Sequence, residues 1–279
     1  MSVDPQLVVI PGYLAASVVE RRIVARQQGQ GLRRAGFERR DSWASLKMGL
    51  VSVATVGLLN VVLFELAQQL WRLRLIDLGT GVVAWVVAMI GWDFAYYWEH
   101  RISHERRIFW AAHVNHHSSE RYNFTTALRQ PWLPLSALLC LPPVVLLGVR
   151  PHLLMLAGGF NLIYQFFLHT EAIGRLPRWF EAVFNTPSHH RVHHGSNREY
   201  LDRNYGGILI VWDKVFGTFE PERAPVAYGL TKNINTFVLW EIAWHEYRAV
   251  LRDAWRAKGW RTKLAHLFSA PGWTPEPRT

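Results

Sequence analysis

Cysteine is nearly missing from this chain: there is one, Cys140, in 279 residues. A single thiol excludes an intrachain disulfide and the CxxC modules that hold structural zinc. Other patterns are missing as well. No HExxH marks a zincin protease, and no ExxH pairs mark a carboxylate-bridged di-iron bundle. No GxGxxG opens a flavin-binding unit, and no cytochrome b5-like stretch is present, so electrons for any redox reaction must come from a separate donor. The N-terminus lacks the basic region and small-residue cleavage site of a secretory signal. No internal repeat or low-complexity segment is evident.

Acidic residues are outnumbered: 21 Asp and Glu against 31 Lys and Arg, for a net charge of +10. In a soluble protein this excess would raise nucleic acid as a partner. Here 50% of the residues are hydrophobic and 14 are Trp. The cations fall between and after apolar runs, as in a membrane protein that follows the positive-inside rule. No nucleic-acid partner is expected.

The apolar runs set the expected fold. Residues 7–19 fall short of the ~20 needed to cross hydrocarbon, and Pro11 and Gly12 weaken them further, so they read as a short or re-entrant helix. An Arg-rich segment follows, from Arg21 to Arg40, and should lie in the cytoplasm. Residues 48–64 are the best spanning candidate. Residues 78–92 continue into an aromatic belt of Phe94, Tyr96, Tyr97 and Trp98, which suits the headgroup layer. Residues 132–149, with four prolines in or beside them, and 153–168 supply two more runs. Residues 240–258 carry Trp240, Trp244, Tyr247, Leu251 and Trp255 along one stripe. They read as an amphipathic helix on anionic headgroups, or as an ordinary packed surface helix.

The expected architecture is all-α. It is a multi-pass membrane bundle of about four spanning helices plus the short N-terminal helix, with a histidine-rich cytoplasmic cap. One domain covers residues 1–279, with a histidine-box core over about 93–219 and an amphipathic C-terminal segment over about 236–268.

Histidine is what the chain has in plenty: 13 residues. Nine fall in three clusters: WEHRISHE with His100 and His104, HVNHH with His113, His116 and His117, and SHHRVHHG with His189, His190, His193 and His194. Residues three and four apart share a helix face, so each cluster can aim its imidazoles at one point. Imidazole suits iron, zinc, copper and nickel. Eight histidines at this spacing are too many for one ion and a natural number for two with open positions. An all-imidazole dinuclear site beside a membrane best fits non-haem iron acting on dioxygen, and zinc stays open. A membrane zinc hydrolase and a non-catalytic protein with structural histidines are therefore the competing readings.

Other residues carry open alternatives. Asp93, inside an apolar helix, either accepts the outer N–H of a ligand histidine or is a water-lined acid. Asn161, Gln165 and His169 form a polar stripe. It serves interhelical hydrogen bonding, or it makes His169 a ninth ligand. His189 is a further candidate beside the third cluster. Glu105, Asn123 and Arg129 sit beside the boxes as second-tier or headgroup contacts, or as solvated residues. Thr186-Pro187-Ser188 offers a cap for a helix carrying the third cluster. His152, His245 and His266 are isolated and read as structural.

HRISH, HVNHHSSERYNFTTALRQ and TPSHHRVHHGSNREYLDRNYGGILIVWDKVFGTF resemble the fatty acid hydroxylase and sterol desaturase superfamily, most of all its alkylglycerol monooxygenase-like bacterial branch. The resemblance spans roughly residues 5 to 275. It implies a membrane-bound di-iron enzyme that uses O2 to hydroxylate, desaturate or oxidatively cleave a lipid such as a sterol, acyl chain or alkylglycerol ether. It assigns the metal to His100, His104, His113, His116, His117, His190, His193 and His194, and favours His169. It also implies an external reductant, a pterin in that branch, although no pterin site is legible here. The expected location is a bacterial inner membrane, or the endoplasmic reticulum of a eukaryote, with the site facing the cytoplasm.

Overall fold

The computed structural model describes residues 5–139 and 141–275. Among these residues the regular secondary structure is helical, with two isolated β-bridges, Phe184–Leu209 and Gly195–Tyr228. The helices are α1 (Pro5–Gly29), α2 (Arg39–Trp71), α3 (Val82–Glu105), α4 (Arg107–His117), α5 (Phe124–Ala127), α6 (Leu141–Leu146), α7 (Pro151–Phe166), α8 (Arg178–Glu181), α9 (Pro187–His193), α10 (Val211–Val215), α11 (Leu239–Arg256) and α12 (Trp260–Phe268). A 3₁₀ turn, Leu135–Leu139, precedes α6.

Helix α1 is longer than its apolar run: 25 residues, continuous through Pro11. Proline removes a helical N–H, but packing holds the helix together. Tyr13 stacks on Phe166 with ring centroids 3.8 Å apart, and buried Glu20 accepts the N–H of Phe124 at 2.7 Å.

Helix α2 starts on a side-chain cap. Glu38 accepts the N–H groups of Arg40 and Asp41 at 3.0 and 2.7 Å. Its 33 residues run ~50 Å at 1.5 Å per residue. It is the one helix among the described residues long and apolar enough to cross a membrane. Its first turns are buried through Asp41, Ala44, Ser45, Met48 and Ser52. Beyond them lies uncovered apolar surface, with Leu58 73% and Val61 62% exposed. Helix α3 likewise exposes Val82, Val86, Ile90 and Phe94 at four-residue spacing. Its opposite face packs Ala84, Ala88 and Ala95 with Leu153, Leu154 and Ala157 of α7.

Two expectations need correcting. Residues 132–149 are not a spanning helix but the 3₁₀ turn followed by the six-residue α6. Pro131, Pro134, Pro142 and Pro143 withhold backbone donors and fix φ, so no long helix forms. Carbonyls at the end of this segment are satisfied instead by the link after α2: Leu75 N–H donates to Leu146 O at 3.0 Å and Leu78 N–H to Gly148 O at 3.2 Å. The C-terminal stripe is also divided. Tyr247 is buried against Ala111 and Ala112 of α4, and its hydroxyl donates to Leu133 O at 2.7 Å. Trp240, Leu251 and Trp255 remain exposed. Arg107 clamps α4 to α11 through Glu246 at 2.7 Å and Asp253 at 2.9 Å.

Candidate metal centre

Arg106 has extended backbone (φ −126°, ψ 117°) and separates α3 from α4, so the chain folds back and brings the first two boxes face to face. Pro187 opens α9 at its first position, as expected, although the Thr186 hydroxyl donates to Glu181 at 3.2 Å rather than capping the helix. His169 lies three residues beyond α7.

Nine histidines then form two groups. One holds His100, His104, His113, His117 and His193; the other holds His116, His169, His190 and His194. Within each group the ligand nitrogens lie within 4.8 Å of one another. The grouping cuts across the boxes. On α4, His113 and His117 face one group and His116 the other. On the third box, His193 faces the first, while His190 and His194 face the second. The groups adjoin: His117 and His194 stack with centroids 4.3 Å apart.

Backbone carbonyls orient the rings. The Nδ1 of His100 lies 2.8 Å from Tyr205 O, that of His193 3.0 Å from Arg203 O, and that of His169 2.8 Å from Gln165 O. A carbonyl only accepts, so each of these Nδ1 atoms carries the hydrogen and the Nε2 lone pair is bare. The Nε2 atoms converge: His100 to His113 at 3.0 Å, His117 to His113 at 3.1 Å, and His169 to His116 and His190 at 3.0 Å each. The Nε2 atoms of His104, His193 and His194 are buried with no hydrogen-bond partner. Buried lone pairs aimed at a common point want a cation, and neutral imidazole is the ligand form. Burial pushes His100 and His169 down to about 4. The other seven lie well below the ordinary imidazole value, through burial first and neighbouring histidines second. The residues fit a pair of transition-metal ions.

The loop carrying these carbonyls is pinned by two buried acids. Asp213 accepts the N–H of Tyr205 at 2.8 Å, the N–H of Gly206 at 2.7 Å and the Thr218 hydroxyl at 2.6 Å. Asp93 accepts from Asn161 at 2.7 Å, Ile208 N at 2.6 Å, Leu209 N at 3.1 Å and Trp212 Nε1 at 2.9 Å. The loop passes so close that a Cβ on Gly207 would sit 2.8 Å from Asp93 Oδ1, and one on Gly206 2.5 Å from Leu209 O. This is the physical content of the NYGG…WD…FGT stretch. Asn204, at φ 57°, uses its amide to hold the carbonyls of His189 and Glu220 at 3.0 and 2.7 Å.

The remaining candidates sit elsewhere. His189 belongs to neither group. It is about 100° of helix rotation before His190, and its ring meets Phe219 edge-on at 5.3 Å. Asp93 holds the loop rather than a histidine. Glu105 pairs with Arg101 at 2.8 Å on the surface. Asn123 caps α5 and donates to Gly36 O at 2.9 Å. Arg129 is buried, bonded to Asp41 at 2.5 Å and to Ser45 and Ser118. His152, His245 and His266 lie outside both groups. The carbonyl supports and Asp213 were not among the expected residues. Asp213 had a signal: an acid straight after the apolar run ILIVW. Backbone carbonyls have none.

Two convergent, all-imidazole groups sharing the same helices define a candidate histidine-box metal centre. The family model "Fatty acid hydroxylase" matches residues 85–218, which contain every histidine of both groups. The alkylglycerol monooxygenase of Homo sapiens is 47% identical over 191 residues, covering 68% of this chain and 43% of that protein. The ornithine lipid hydroxylase of Rhizobium tropici is 26% identical, covering 67% and 51%. Human lathosterol oxidase is 26% identical, covering 63% and 60%. The chain belongs to the fatty acid hydroxylase and sterol desaturase superfamily. It spans less than half the length of the alkylglycerol monooxygenases it matches. No solved structure matches it.

Proposed function

We propose that each histidine group holds one iron ion, and that the chain is a membrane-embedded oxygenase that uses O2 to attack a lipid C–H bond. One observation carries the reading. Nine neutral imidazoles, eight of them buried and His113 half-buried, turn ring nitrogens toward one another in two adjoining groups, inside a chain whose relatives are named as lipid monooxygenases, hydroxylases and oxidases. Iron so held supplies activation of dioxygen for insertion of one oxygen atom into an aliphatic C–H bond. The protein's own residues keep the imidazoles neutral, fix ring rotation through the carbonyls of Arg203, Tyr205 and Gln165, and exclude bulk water.

Iron is favoured over zinc by the number of histidines in the first group. Five histidines exceed the four of a tetrahedral zinc site.

An alkylglycerol ether is the substrate we favour. Hydroxylating the carbon beside the ether oxygen consumes O2, two electrons and two protons. It gives a hemiacetal and water, and the hemiacetal collapses to an aldehyde and a glycerol. The electrons come from an external donor, a reduced pterin or an electron-transfer protein.

The topology follows from α2. Asp41 in its first turn accepts the hydroxyl of Ser119 at 2.7 Å, two residues past His117. The metal centre therefore sits at the starting end of α2, beside the Arg-rich segment that the positive-inside rule puts in the cytoplasm. Helices α1, α3 and α7 are embedded with α2, their exposed apolar faces toward lipid.

The test is anaerobic purification, metal analysis and turnover. About two iron per chain, with aldehyde formed from an alkylglycerol on addition of O2 and reduced pterin, is expected. Two zinc and no iron, with no oxidised lipid under any reductant, would refute the proposal.

A further inference from the structure

A groove of about 620 Å³ opens where the start of α2 meets the segment leading into α11. Arg39, Arg40 and Lys47 supply its charge, and Trp43, Phe237 and Leu239 its apolar wall. Elsewhere the buried cations are matched: Arg107, Arg129 and Arg191 each meet a carboxylate. The three groove cations have no ion pair among the described residues. The acids nearby are already engaged. Glu38 caps α2, Asp41 holds Arg129, and Glu241 holds Arg248. Among the described residues the groove's three cations therefore have no carboxylate paired with them.

The surroundings say at what depth this charge lies. Arg40, Trp43, Lys47 and Leu50 follow one another at three- and four-residue spacing, along one stripe of α2. Trp43 and Trp240 are 53% and 58% exposed beside the groove, and Leu50 and Leu58 further along α2 are 74% and 73% exposed. Tryptophan favours the headgroup layer and leucine the hydrocarbon.

We propose that this groove binds the headgroup of an anionic phospholipid, its phosphodiester held by Arg39, Arg40 and Lys47 and its acyl chains running along Leu50 and Leu58. A zwitterionic lipid brings its own cation and leaves the groove's charge unneutralised, so the site selects for net negative lipid. The inference rests on the reading that α2 crosses the membrane.

The test is native mass spectrometry of the full chain in detergent, titrated separately with phosphatidylglycerol, phosphatidylcholine and inorganic phosphate. Each cation facing an anionic lipid is expected to strengthen binding about fivefold. Arg40→Gln with Lys47→Gln should therefore weaken phosphatidylglycerol about 25-fold and leave phosphatidylcholine and metal content unchanged. Arg72→Gln with Arg74→Gln, at the far end of α2, should change nothing. If the double variant does not accumulate, Lys47→Gln alone should still give the fivefold loss. Equal binding of the two lipids, unchanged affinity in the groove variants, or full competition by inorganic phosphate would overturn the proposal. Release of the wild-type chain from membranes by alkaline carbonate is a separate outcome, which would refute the spanning reading itself.

Discussion

Asp93→Ala tests whether a carboxylate that touches no histidine governs metal binding. Asp93 accepts four hydrogen bonds, three of them from Ile208, Leu209 and Trp212 on the segment that follows Tyr205. The Tyr205 carbonyl in turn orients His100. Removing the carboxylate strands four donors. A buried unsatisfied group costs about 1–3 kcal/mol. Three of these residues are only half-buried, so the low end applies, about 4 kcal/mol in total. That is a large share of the 5–15 kcal/mol by which domains are typically stable. The loss falls on the loop, and so on the group containing His100 and His193. Metal analysis should show iron falling from about two per chain to about one, with the His169 group still loaded. Asp93→Asn keeps one acceptor oxygen and should fall in between. Wild-type iron content in Asp93→Ala, with a thermal midpoint unchanged within a few degrees, would show that the loop does not depend on Asp93.

His169→Ala should empty the second group and abolish turnover, while His189→Ala should keep full metal content; iron analysis of the pair decides whether the ninth ligand is His169. Arg129→Met leaves the buried Asp41 carboxylate without its cation and should destabilise the fold by about 3–5 kcal/mol, read as a lower thermal midpoint, while the folded fraction still binds iron. Metal-free protein should lose stability as pH falls from 6.5 toward 4. The unfolded histidines protonate near 6.5, whereas buried His100 and His169 wait until about 4, so each contributes up to about 1.4 kcal/mol per pH unit. A flat midpoint from pH 8 to 4.5 would contradict their burial. For topology, a single cysteine at Gly79 in a Cys140→Ser background should react with an impermeant maleimide from outside intact cells, and one at Gly31 only after lysis; the reverse pattern would invert the proposed orientation.

The convergence of the box histidines was legible because spacing on a helix is geometry: i, i+3 and i+4 place rings on one face before any packing is known. His169 was legible as part of a polar stripe in apolar surroundings. His189 is itself four residues before His193, so spacing alone could not separate it from the others; its ring meets Phe219 and lies outside both groups. The division into two groups was not legible, since it depends on how α4 and α9 are turned toward each other. Asp93 could be read as a buried acid wanting partners. That those partners are Asn161, Trp212 and a loop more than a hundred residues away is set by tertiary folding. The helix expected over 132–149 failed for a local reason. Hydrophobicity alone set its length, while the prolines limit which residues can be helical.

Because α4 gives His113 and His117 to one group and His116 to the other, it serves as a common wall between two compartments. The same holds for the third box. The spacing between the two groups along α4 is then set by rigid helix. A twist of α4 that tightens one compartment must loosen its neighbour. Redesigning either side for another metal will therefore disturb both.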